Sequence, residues 1–146
     1  MKISPAEIAE RLSVLQWQGE RYVPDKWGDK EIMESRRLIR TQIFIDRGGR
    51  ENAISDFGSF PAAHYHELIN RHRTPEGSML RWLSYQPEVC ALLTVEEHEK
   101  AHNTETRNAL FQIKYEQYGY DDVRFVVDLI NELSVVKLGI TLPPQF

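Results

Sequence analysis

Histidines carry the first chemical signal. His98 and His102 stand four residues apart in Val95-Glu96-Glu97-His98-Glu99-Lys100-Ala101-His102. On a helix that spacing stacks two side chains on one face, so both imidazoles can share an ion. His64 and His66 lie upstream in His64-Tyr65-His66-Glu67-Leu68-Ile69, and the fifth histidine, His72, falls in a polar connector. Histidine also suits proton transfer, because its unperturbed pKa lies near neutrality. The plain alternative for His98 and His102, set among glutamates and a lysine, is an exposed helix face with no ligand role.

Arginines give the second signal. From Arg36 to Arg50 five arginines (36, 37, 40, 47 and 50) accompany one acid, Asp46. Such a run is either a solvated helix face, with cations near the negative helix end, or a phosphate-contacting patch. Arg71 and Arg73 flank His72 in a second basic turn. Glu67 can pair with either of these two. Cys90 reads as a small buried hydrophobe, since nothing nearby predicts an activated thiolate.

The chain that must position these groups has 146 residues, 41% hydrophobic and 27% charged, which fits one domain over 1–146 with a core of its own. A lone cysteine excludes an intramolecular disulfide and a multi-cysteine zinc site. No apolar run approaches the roughly 20 residues of a membrane span, and the N-terminus lacks a signal-peptide core. A cytoplasmic location without a membrane partner is the expectation. The net charge of −4 argues mildly against nonspecific nucleic-acid binding. A bound divalent cation would offset part of it, and local patches matter more than the sum.

Capping and periodicity predict the elements. Ser4-Pro5-Ala6-Glu7 is a capping box opening a helix to about Gln16. Gln18 to Asp29 is an ordered loop anchored by Tyr22 and Trp27. Asp29 caps a helix over Lys30 to Asp46, closed by the Gly48-Gly49 turn. A short strand follows through His64 to Ile69, then a turn, a helical turn near Trp82 and an apolar strand, Val89 to Leu93. Thr94 caps the histidine helix, which Asn103 to Thr106 kinks or restarts before it runs on to Tyr118. A last helix runs from Asp121 to about Leu138.

In this order the segments resemble an HNH endonuclease of the His-Me finger (ββα-metal) family, small phage or mobile-element type. The resemblance rests on Ile45-Asp46-Arg47-Gly48-Gly49-Arg50, on Tyr65-His66-Glu67-Leu68-Ile69-Asn70-Arg71, and on Cys90 through His98 to Ala101-His102. It implies an α+β fold with a central ββα-metal motif flanked by helices: an N-terminal helix and aromatic loop (1–35), an HNH-like core (36–103) and C-terminal helices (104–146). Where relatives carry two Cys-x-x-Cys pairs, this chain has Glu51, Ile54, Thr94 and Glu97, so no structural zinc is expected. Packing by Phe57, Phe60 and Tyr65 is expected to fill the space. The family's motif asparagine falls near Val89, with Asn70, Ser84 or Gln86 as substitutes.

The resemblance further implies metal-dependent DNA hydrolysis. His66 becomes the general base, His98 and His102 hold one divalent ion (Mg, Mn, Zn or Ni), and the third ligand is Glu67, His64 or water. A one-residue shift would instead make His66 a ligand and Glu67 the base. Arg36, Arg37, Arg40, Arg71 and Arg73 would clamp phosphates. The implied partners are DNA and either a second copy of the chain or a phage or mobile-element protein, in the host cytoplasm if phage-encoded. A competing reading keeps the fold as a DNA- or protein-binding module without turnover.

Overall fold

The computed structural model describes residues 3–69 and 71–146, with only the backbone of Arg71. Its elements run α1 (Pro5–Leu12), α2 (Asp29–Asp46), β1 (His64–Glu67), a 3-10 turn (Arg71–Arg73), α3 (Met79–Leu83), a 3-10 turn (Pro87–Val89), β2 (Cys90–Leu93), α4 (Val95–Glu99), α5 (Thr104–Tyr118) and α6 (Tyr120–Leu133). The fold is therefore mixed, helices around a two-stranded antiparallel sheet. No helix among the described residues is long and apolar enough to cross a membrane.

Local chemistry accounts for most boundaries. Ser4 accepts the Glu7 backbone N–H, with Pro5 at the first helical position, so α1 starts at the predicted cap. The box is half formed, because the Glu7 carboxylate accepts the Ser4 hydroxyl rather than its backbone N–H. The helix ends at Leu12, a turn earlier than predicted. Gly28 rather than Asp29 is the N-cap of α2, and Asp29 joins its first turn, where a carboxylate favours the positive helix end. Gly48 and Gly49, at φ 93° and 86°, turn the chain away in the left-handed region that glycine enters without strain. Trp27 donates to the Ile3 carbonyl at 2.9 Å and packs on Trp82 at 5.7 Å, so the aromatic loop is pinned as expected.

The sheet separates two apolar clusters. β1 and β2 pair Tyr65 with Leu92 and His66 with Ala91, and strand side chains alternate between faces. Ala91 and Leu93 join the larger core, built largely from α1, α3, α5 and α6 around Trp82 and Phe111. Tyr65, Cys90 and Leu92 join Ile39, Ile43 and Phe44 of α2 in the smaller one.

No packed phenylalanine replaces the zinc knuckle. Phe57 and Phe60 remain 40% and 63% exposed, which corrects the packing expectation for both, while Tyr65 is buried as predicted. The loop is held instead by Asp56, whose side chain is fully buried. Its Oδ1 meets Arg47 at 3.0 Å, and its Oδ2 meets Lys114 of α5 at 3.0 Å. The Leu92 backbone N–H donates to Oδ2 at 2.7 Å, and the Gln117 amide to Oδ1 at 2.7 Å. A buried carboxylate so surrounded is compensated by charge and hydrogen bonds together.

Two further boundaries differ from expectation. Asn103 restarts the chain as expected, capping α5 by accepting the Thr106 N–H at 2.7 Å, but the helix carrying His98 already stops at Glu99, short of His102. The last helix stops at Leu133. There the tail folds back and the Asn131 side chain bonds both N–H and C=O of Ile140, at 3.1 and 2.8 Å.

Candidate active site

A cleft of about 900 Å³ runs beside β1. One wall is α2, which lines it with Asp29, Met33, Arg36 and Arg40, a helical stripe spaced four, three and four residues apart. The opposite wall comes from α4, the turn after it and the start of α5, with His98, His102 and Arg107. The strand places His64 and His66 on one face and Tyr65 and Glu67 on the other, as alternation demands.

Four imidazoles meet in this cleft. The ring of His66 stands 5.1 Å from that of His98 and 6.3 Å from that of His102, centroid to centroid, and His98 and His102 are 6.1 Å apart. His64 stacks on His98 at 4.6 Å. Thr94 fixes α4 and with it His98: its side chain accepts the Glu97 N–H, and the Glu97 carboxylate accepts the Thr94 N–H. His102 lies in the turn rather than on a helix, and is exposed. The i, i+4 relation survives as proximity although the helix does not.

His66 is held largely neutral. Burial, followed by the neighbouring His98, lowers its pKa to about 4, against the opposing pull of Glu67. Burial, then His64 and His102, also lower that of His98. His66 and His98 thereby favour the neutral form, which leaves a ring nitrogen free to act as acceptor or ligand.

Glu67 lines the same cleft, but its carboxylate is engaged by an arginine of α2. It shares the α2-facing side of β1 with Tyr65, and Arg36 Nε donates to its Oε1 at 3.0 Å. Arg36 Nη2 also donates to the Tyr65 carbonyl at 3.0 Å. The Tyr65 hydroxyl points into the protein and donates to the Tyr85 carbonyl at 2.7 Å. As a base, Glu67 would have to give up its ion pair with Arg36.

The predicted basic clamp divides. Arg36 and Arg40 line the cleft. Arg37 is exposed and donates twice to Glu34, and Arg73 donates to the Leu138 carbonyl at 3.0 Å; neither lines the cleft. Asn70 and the Arg71 side chain lie outside the described residues. Of the other proposed substitutes for the motif asparagine, Ser84 and Gln86 are buried, Gln86 accepting from Arg21 at 3.2 Å. Sequence reasoning held His64 only as one option for the third ligand, and it missed the cleft residue Arg107. The period-two relation of His64 to His66 was a usable signal; nothing in the sequence marked Arg107.

The donor chemistry fits a divalent transition ion, for which neutral imidazole is a favoured ligand. Among the described residues no three His, Cys, Asp or Glu side chains are already grouped to hold one. An ion bonded to nitrogen at about 2.0–2.1 Å requires the rings to draw closer, and exposed His102, in its turn, is the least constrained. Comparison of the chain with protein-family models, with curated proteins and with solved structures finds no match.

Proposed function

We propose that the protein is a metal-dependent DNA endonuclease built on a ββα-metal core. The observation carrying this reading is the convergence of His66, His98 and His102 on one cleft, 5.1 to 6.3 Å apart by ring centroids, opposite an arginine-bearing helix. The succession β1, β2, α4 supports it, as does the neutral state of His66. In this reading His66 accepts the proton of the attacking water through a ring nitrogen. His98 and His102 hold the ion, with His64 rather than Glu67 beside them. When bound, a divalent ion supplies positive charge for the developing phosphorane and the leaving 3′ oxygen. Imidazole donors favour Mn, Ni or Zn over Mg.

The test is cleavage of supercoiled plasmid with each of the four ions. Wild type cuts and His66→Ala is slower by about 10²–10⁴-fold, the span of general-base contributions. Equal rates for the two proteins remove His66 from the base role.

One observation favours a second reading. Glu67 is committed to Arg36 and Tyr65 is turned inward, so no carboxylate from β1 joins the imidazoles. A binding module without turnover would retain DNA affinity in excess chelator, falling steeply with salt, and would leave plasmid intact with every ion.

A further inference from the structure

Four arginines line the cleft, and three are already committed. Arg36 is taken by Glu67 and the Tyr65 carbonyl. Arg81 donates to the Thr74 carbonyl at 2.7 Å, and Arg107 donates to the carbonyls of Leu68 and Thr141 at 3.1 and 3.4 Å. Arg40 has neither hydrogen bond nor ion pair among the described residues, and its Nε is buried without an acceptor. Elsewhere on or just after α2, Arg37 is occupied by Glu34, Arg47 by Asp56, and Arg50 lies over the Phe44 ring at 4.7 Å.

A guanidinium brings five N–H donors in a planar fork, and among the described residues none of them has an oxygen acceptor. Like charge surrounds it as well. Burial, then Arg36, Arg50 and Arg37, disfavours its protonated form. A positive group left unpaired beside others of its sign, on the wall facing the imidazoles, is an arrangement that an anion completes.

We infer that Arg40 is the phosphate-binding residue of α2, receiving the phosphodiester anion of a DNA strand lying in the cleft. This rests on the nucleic-acid reading above and narrows it: the basic helix engages DNA through one guanidinium, and its other arginines are already paired with glutamates. A phosphate oxygen is a strong charge-assisted acceptor for such a fork. Because no described group bonds the Arg40 guanidinium, its loss is expected to cost binding rather than stability.

The experiment is fluorescence anisotropy of a labelled short DNA duplex in EDTA across a salt series, with wild type, Arg40→Gln and Arg37→Gln, each also melted thermally. Arg40→Gln is expected to weaken binding about tenfold or more and to flatten the salt dependence by about one counterion. Its Tm should stay at or above the wild-type value, while Arg37→Gln binds within about twofold of wild type. Equal affinities of the two variants, with wild type binding, overturn the assignment of Arg40 and leave the nucleic-acid reading standing. A lowered Tm alongside weaker binding also overturns it, because Arg40 would then be holding the fold. Wild type that fails to bind DNA at low salt overturns both.

Discussion

The imidazole of His64 lies flat against that of His98, ring centroids 4.6 Å apart with 27° between their planes. A residue of β1 thereby orients a residue of α4, whose five residues alone define few contacts. Groups that set the orientation of a metal-ligating histidine affect ion affinity nearly as strongly as the ligands do.

His64→Ala should therefore weaken divalent-ion affinity by about 10–100-fold, read as competition against a chromophoric chelator at neutral pH. Unchanged affinity would reduce the stacking to simple packing.

Asp56 makes the fold dependent on one buried carboxylate. Burial opposes its charge, yet Lys114 and Arg47 together hold its pKa below the usual value, and Lys114 itself is pushed down by burial despite Asp56. Removing one partner of a buried pair strands the other, at a cost of about 3–5 kcal/mol. Asp56→Asn should lose stability on that scale in urea unfolding. The double change Asp56→Asn with Lys114→Met should recover a substantial part of it, because no buried charge is then left opposite a neutral group. A single variant as stable as wild type would show that the cluster is dispensable.

Much of this was legible in local sequence. Ser4, Thr94 and Gly48-Gly49 were read as helix ends and the structure has them there, with the further reciprocal bond of Glu97 to Thr94 unread. The short apolar run before Thr94 and the alternating run at His64 pair as strands. What escaped was set by distance or by competition. Asp56 and Lys114 are 58 positions apart, so no window of sequence joins them. Asn103 could kink the helix or restart it, and it restarts it by capping α5; the helix before it already stops at Glu99, short of His102. Arg36 and Glu67 are 31 positions apart, so the pairing that engages the Glu67 carboxylate was not visible locally. Strand alternation should have promoted His64.

The pH dependence of stability follows from His66. Its folded pKa, about 4, lies below the ordinary value near 6.5, so between these values the unfolded chain binds a proton that the folded chain refuses. Stability is then complete above about pH 6.5 and declines as the pH falls toward 4. The depressed pKa of His98 acts in the same direction. With chelator present, the urea midpoint should drop from pH 7 to pH 5, and His66→Gln should blunt that drop. A midpoint that is flat in this window for wild type would mean that His66 titrates normally.

The central claim is that His98 and His102, on one wall of the cleft, take a single divalent ion beside His66 of β1. Calorimetric titration of Ni²⁺, Zn²⁺ and Mn²⁺ into the purified chain tests it most directly, with His98→Ala, His102→Ala and His66→Ala as comparisons. The account predicts one ion per chain for wild type and for His66→Ala, with binding lost in His98→Ala and His102→Ala. Wild type that takes up none of these ions, or a His98→Ala protein that binds them as wild type does, would contradict it.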